Sequence, residues 1–296
     1  MNIAAMNTTS ASTFAGNTGA QPLAVSPLIV TVAPNGAYKR VADHPAVPLT
    51  SAALAAEARA CLEAGAAMMH MHVRDAEGKH SLDVQTYRDA LAAVQREVGD
   101  ALLVQVTSEA AGVYKAPAQM AMVRALRPEA VSIGLREIAV PEIAERDLAD
   151  FFSWLARERV MTQIILYDTA DVQKWQDLRA RGLVPAAAWS VLFVLGRYSA
   201  GQVSSPRDLL PFLQAFDGAM PWSMCAFGAE ENACAITAAA LGGHVRVGFE
   251  NNLLLKDGQR AAGNSALIAQ VAEGARALAR PLANAADARR IYGAVC

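Results

Sequence analysis

From Leu28 onward the chain repeats one pattern, a short apolar and often β-branched run followed by a longer, frequently alanine-rich stretch with helical spacing. Runs that are apolar at nearly every position suit strands covered on both faces, and their alternation with helices is the pattern of parallel βα units. Eight runs can be counted, at 28–33, 66–72, 102–107, 130–133, 162–167, 190–195, 222–226 and 245–247. Helical spacing fills 51–63, 84–97, 117–126, 142–159, 171–181, 206–215 and 231–241 between them, and 265–279 after the last. Start and stop residues support several of these: Thr50 as an N-cap, Gly65 as a left-handed stop, Ser205-Pro206 as a cap with proline at the first helical position, and Gly242-Gly243 as a second stop. Eight such units predict an α/β fold of the (β/α)8 TIM-barrel kind over residues 26–296, with a doubly wound open sheet second and a ninth helix near 287–292 capping the barrel.

Composition narrows the partners. Twenty-six Lys and Arg against 28 Asp and Glu leave a net charge of −2, so no electrostatic footprint points to nucleic acid or an anionic membrane. Four cysteines (Cys61, Cys225, Cys234, Cys296) form no CxxC pair, which argues against a disulfide framework and suggests a reducing cytoplasm. Residues 1–25 are rich in Ala, Ser, Thr, Asn and Gly and contain no Lys or Arg, the composition of a flexible tail without the basic region of a targeting signal. No later apolar run has the roughly 20 uninterrupted residues of a membrane span.

A barrel of this kind carries its chemistry where the strands end. His70-Met71-His72 closes the second run, and residues two apart on a strand point the same way, so two imidazoles converge there as ready metal ligands. Two ligands are too few for a catalytic zinc. Glu250 is the candidate third, on the reading that Arg246, Gly248 and Glu250 share parity along an extended segment, with Gly248 allowing a bulky ligand close to the backbone. Arg246 inside a barrel needs a carboxylate or an anionic substrate beside it. Arg74 and Asp75 could orient the imidazoles, or Asp75 to Gly78 could simply be a solvated turn. Arg74, Arg136 and Arg246 together would concentrate positive charge where an anion binds.

His70-Met71-His72-Val73-Arg74-Asp75, together with Gly243-His244-Val245-Arg246-Val247-Gly248-Phe249-Glu250-Asn251-Asn252, resembles the β-keto acid cleavage enzymes. Ala33-Pro34-Asn35-Gly36-Ala37, Val47-Pro48-Leu49-Thr50 and Gly65-Ala66-Ala67 add to the likeness, which runs from about Leu28 to the end. The resemblance implies a zinc-dependent barrel, one zinc per subunit, that condenses a β-keto acid with acetyl-CoA and releases acetoacetate and a new acyl-CoA. It implies His70, His72 and Glu250 as zinc ligands, Arg246 as partner of the acid–base group, substrate contacts from Asn35, Tyr38, Thr107 and Ser108, and a homo-oligomer such as a tetramer.

The departures from the family pattern are as informative. Glu250-Asn251-Asn252 stands where the family usually has Glu-Asp-Asn, so Asn251 replaces the aspartate that resembles a general base, and an amide cannot accept that proton near neutral pH. Gln163 to Asp168 lacks the glutamates that often precede the fifth strand's end. Glu109 and Glu137 are acids at strand ends where many relatives have none, and either could supply the base or serve as an ion-pair partner of Arg136 or Arg246. Tyr38 stands where the founding enzyme has a glutamate facing a substrate ammonium, so a substrate without a cationic amino group is expected. Two other readings are a metal-dependent barrel hydrolase of the amidohydrolase kind and a keto-acid or acyl-CoA binding protein that has lost catalysis through Asn251.

Overall fold

Every counted run becomes a strand of one closed parallel barrel in the computed structural model, which describes residues 26–296. The tail read at residues 1–25 lies outside the described residues. The strands are β1 (Val30–Val32), β2 (Met68–Met71), β3 (Leu103–Thr107), β4 (Ala130–Gly134), β5 (Met161–Leu166), β6 (Trp189–Leu195), β7 (Trp222–Ala226) and β8 (His244–Val247). Each pairs in parallel with its sequence neighbours, and β1 closes the ring by pairing Thr31 with Met68 of β2 on one side and with Arg246 of β8 on the other. Nearly all strand residues are buried, as expected where helices cover the outside and side chains fill the inside.

The helices are α1 (Ser51–Ala64), α2 (Val84–Val98), α3 (Ala116–Leu126), α4 (Glu145–Arg157), α5 (Thr169–Ala180), α6 (Leu210–Ala215), α7 (Glu231–Ala240), α8 (Asn264–Ala277) and α9 (Ala285–Tyr292). The caps behave as their chemistry requires: the Thr50 hydroxyl accepts from the Ala53 N–H, and Gly65 adopts φ 112° as it donates to the last carbonyls of α1. The single helix expected over 206–215 is instead a 3-10 turn (Pro206–Leu209) followed by α6. Pro211 explains the break, because it has no N–H with which to continue an α-helical ladder across the junction.

Of the small elements that were not expected, two bear on the site. A one-turn helix (Leu135–Ile138) follows β4, and a two-stranded hairpin (Val73–Arg74 with His80–Ser81) follows β2. Asp75 makes the hairpin's turn, its Oδ1 accepting from the N–H groups of Glu77 and Lys79. The hairpin also delivers His80, a residue absent from the expected site.

α9 closes the amino-terminal mouth of the barrel. Ala288 and Tyr292 pack with Ile29, Ala67, Met68, Leu103 and Ala130, and the Tyr292 hydroxyl lies 2.6 Å from Ser223 Oγ inside the barrel. There the His244 Nδ1 accepts from the Ile29 N–H at 3.1 Å, and Arg280 donates to the carbonyls of Ala239 and Gly243 at 2.7 Å each. The carboxyl-terminal mouth stays open. Among the described residues no helix is long and apolar enough to cross a membrane.

Candidate functional site

His70 on β2 and His72 just beyond it turn their Nε2 atoms toward one point, 3.0 Å apart. Glu250 Oε2 stands 3.5 Å from the first and 3.4 Å from the second, and it has no hydrogen-bond partner although it is buried. Ligands about 2.1 Å from a tetrahedral cation lie about 3.4 Å from one another, so this near-equilateral triangle has the dimensions of three ligands around a small divalent ion. The donor set fits too, since two imidazoles and a carboxylate are borderline ligands suited to such an ion. These three residues could therefore hold a metal.

Glu250 reaches the triangle by a different route from the one its parity suggested. β8 stops at Val247, and Gly248 turns the chain at φ 144°, where an added Cβ would collide with the Ala33 carbonyl oxygen. The close approach that Gly248 permits is thus to backbone, not to a ligand. The turn is clamped by Glu231, whose buried carboxylate accepts from the Gly248 N–H at 3.0 Å and from Asn252 at 3.2 Å, and by Asn264, which accepts from the Phe249 N–H at 2.7 Å. Gly36, at φ 55°, leaves the space that the Glu250 side chain fills. Burial works against the charge of Glu250, but the Arg246 guanidinium beside it outweighs that and, with the contact to His72, holds the carboxyl well below the usual range.

Hydrogen bonds fix which ring nitrogens are free. Gln105 Oε1 lies 2.9 Å from His70 Nδ1 and can only accept, so Nδ1 carries the proton and Nε2 offers its lone pair to the triangle. On the other ring, the Glu109 carbonyl accepts from His80 Nε2 at 2.9 Å, so His80 Nδ1 accepts from His72 Nδ1 at 3.4 Å and leaves His72 Nε2 free. Burial is the main reason these rings stay neutral: it lowers His70 and His80 to about 4 and His72 well below its ordinary value. A polar chain continues inward from Gln105 to Gln163 at 3.5 Å, to Ser223 at 3.3 Å and to Tyr292. The imidazoles are therefore oriented by Gln105 and His80. Arg74 and Asp75 do not do it, because Arg74 donates to the backbone carbonyls of Asn35, Gly36 and Lys39 and Asp75 serves the hairpin turn.

The triangle opens into a cavity of about 300 Å³. Of the expected site residues, His70, Glu250, Arg246, Glu109, Thr107 and Tyr38 line it. Arg246, 3% exposed, donates from Nη2 to Glu250 Oε1 at 3.1 Å and to Cys225 Sγ at 3.3 Å, while its Nε and Nη1 have no partner. Glu109 Oε2 lies 3.7 Å from His72 Nε2, and burial, then the nearby Glu250 and Glu137, raises its carboxyl to about 8. The Thr107 hydroxyl accepts from the Glu109 N–H at 3.1 Å.

Other expected residues sit behind the cavity wall. Asn35 donates to the carbonyls of Pro48 and His72, Ser108 to that of Ser132, and Glu137 accepts from the Ala110 N–H. Asn251 is buried with neither amide atom partnered. Arg136 pairs with Asp168 and Asp171 rather than with Glu109 or Glu137. The three arginines expected to gather an anion are thus each engaged within the protein, Arg74 and Arg246 only in part. Sequence reasoning missed Gln105, His80 and Arg197. The first is one polar residue in an apolar strand, a detectable signal; the second depends on an unforeseen hairpin; the third lies two residues past the end of β6.

Comparison with known proteins gives a family. The model of the beta-keto acid cleavage enzymes, BKACE, matches residues 27–293. A 3-keto-5-aminohexanoate cleavage enzyme from Acetoanaerobium sticklandii is 27% identical over 90% of this chain and 98% of its own length. A 3-oxoadipate:acetyl-CoA acetyltransferase from Cupriavidus necator is 28% identical over 90% and 95%. Among solved structures, a ternary complex of ObcA with a C4-CoA adduct and oxalate superposes with a TM-score of 0.67 at 16% identity, covering 84% of this chain and 68% of that one, a likeness of fold.

Proposed function

The chain belongs to the β-keto acid cleavage enzyme family, and on that premise we propose that it is a zinc-dependent acyltransferase that converts a β-keto acid and acetyl-CoA into acetoacetate and a new acyl-CoA. The carrying observation is the buried triangle of His70, His72 and Glu250, whose unpartnered Glu250 Oε2 faces a cavity also lined by Arg246 and Glu109. Relatives named 3-keto-5-aminohexanoate cleavage enzyme and 3-oxoadipate:acetyl-CoA acetyltransferase support this reading.

His70, His72 and Glu250 would hold a divalent cation, which would supply Lewis-acid polarisation of the keto oxygen and so make the neighbouring α-proton removable. The residues of this chain divide the remaining work. Arg246 holds Glu250 with one nitrogen and keeps two donors for the charge that develops on the bound acid. Glu109, beside His72 and on the cavity, is the group that takes the α-proton; Glu137 and Asn251 lie behind the wall. Thr107 fixes the Glu109 backbone. Ile165, Val194 and Phe227 line the same cavity and limit water near the reacting carbon. The carbanion attacks the acetyl thioester and expels coenzyme A thiolate. That thiolate then attacks the original keto carbon, and cleavage of the adjoining carbon–carbon bond, with Glu109 returning its proton to the departing carbon, yields acetoacetate and the acyl-CoA.

A panel of β-keto acids incubated with acetyl-CoA, read by the mass of the thioester formed, tests this. The expected result is a new acyl-CoA with stoichiometric acetoacetate, lost on chelation and restored by zinc. Glu109→Gln should lower kcat by about 10²-fold or more while metal content stays at one ion per chain. Hydrolysis of acetyl-CoA without acyl exchange would overturn the reading.

A further inference from the structure

Arg197 is a cation on the cavity that has nothing to bind. It follows β6, lines the same cavity as His70 and Glu250, and forms no ion pair or side-chain hydrogen bond among the described residues. Its guanidinium carbon sits over the rings of Tyr38, Phe227 and Tyr198 at 5.2, 5.5 and 5.8 Å. Ring faces hold a cation without supplying a hydrogen-bond acceptor, so the position is fixed while the N–H donors remain free. The same packing fills the aromatic surface that a substrate ammonium would need. Lys39 and Asp43, also on this cavity, offset one another in charge.

Ile165, Val194 and Phe227 give the same cavity apolar wall surface. One cavity thus brings together the metal triangle, apolar wall surface and a braced cation. Resting on the function proposed above, we infer that Arg197 is a specificity-determining residue and that the substrate is a dicarboxylic β-keto acid, its second carboxylate bound by this guanidinium. The phosphates of coenzyme A are a poorer match, because the pantetheine arm places them far from the thioester carbon and outside a cavity of this size. A planar fork of donors meeting a carboxylate is the geometry that guanidinium offers best.

The test compares a six-carbon dicarboxylic β-keto acid with the six-carbon monocarboxylic one, each with acetyl-CoA, in the native chain and in Arg197→Met and Arg197→Lys. The native enzyme should prefer the diacid by about 100-fold in kcat/KM, expressed mainly in KM. Arg197→Met should collapse that ratio to near one, and Arg197→Lys should recover part of it. Equal rates on the two acids in the native enzyme, or a ratio unchanged in Arg197→Met, would overturn the inference while leaving the acyl exchange intact. A rise confined to the KM for acetyl-CoA would overturn it in favour of a coenzyme phosphate. Failure of both acids to yield an acyl-CoA would overturn the proposed function, and this inference with it.

Discussion

At the amino ends of the strands, His244, Ser223, Tyr292 and Arg280 are buried and hydrogen-bonded; at the carboxyl ends, Asn35, Arg74, Arg246, Glu250 and Asn251 each keep a buried donor or acceptor unpartnered. Only Trp175 and Asn232 share that condition elsewhere among the described residues. An unpartnered buried polar group costs about 1–3 kcal/mol. One end of the barrel is therefore closed and hydrogen-bonded, and the other gives up some stability in unpartnered polar groups, of which those of Arg246 and Glu250 belong to residues that line the cavity. The polar chain from Tyr292 through Ser223, Gln163 and Gln105 to His70 joins them.

The contrast is broken most severely by removing a metal ligand. His72→Ala or Glu250→Ala should lower turnover by about 10³-fold or more and abolish stoichiometric metal, with little loss of thermal stability in the metal-free protein. Equal metal content in mutant and native protein would contradict the ligand assignment. At the other end Tyr292→Ala should do the reverse. Deleting a buried aromatic there should cost about 3 kcal/mol of stability in denaturant titration, while the metal content of the folded fraction stays at one ion per chain.

Acid should act on the closed end in a definite direction. Burial, reinforced by Arg280, lowers His244 to about 3, whereas in the unfolded chain the ring titrates near 6.5. Below pH 6.5 the unfolded chain takes up a proton that the folded one refuses. Stability attributable to this ring is thus complete above pH 6.5 and falls as pH drops toward 3, by about 3 kcal/mol at pH 4. His244→Asn should flatten the melting temperature across that window; an unchanged acid slope would remove His244 as its source.

Smaller changes sharpen the comparison at the open end. Gln105→Leu removes the acceptor that fixes the His70 tautomer and should weaken metal affinity by 10- to 100-fold in calorimetric titration. Asn251→Leu should stabilise the chain by about 1 kcal/mol, because it replaces an amide that satisfies neither of its atoms. Destabilisation instead would mean that the amide has a partner when the site is filled.

The periodicity of the sequence was enough for the barrel because the strands are largely apolar on both faces and several helices carry side-chain caps, at Thr50, Asp83, Asp168 and Asn284, so the signal is local. The convergence of His70 and His72 was legible for the same reason, since the two residues lie one pleat repeat apart at the end of β2. Glu250 reaches the two imidazoles by a different geometry from the one its parity suggested, since its approach depends on the clamp from Glu231 and Asn264, 19 residues before it and 14 after. His80 and Arg197 were invisible because their places depend on a hairpin and a loop set by tertiary contacts. Arg74 and Arg136 misled in the opposite sense: an arginine at a strand end marks an anion only if nothing in the protein has already taken it.

Acetyl-CoA labelled with ¹³C in both acetyl carbons, incubated with a turned-over β-keto acid, tests the central claim most directly. The exchange proposed here places both labelled carbons in free acetoacetate, as its carbonyl and methyl carbons, and leaves the new acyl-CoA unlabelled. Label retained on the thioester, or released as free acetate, would contradict it.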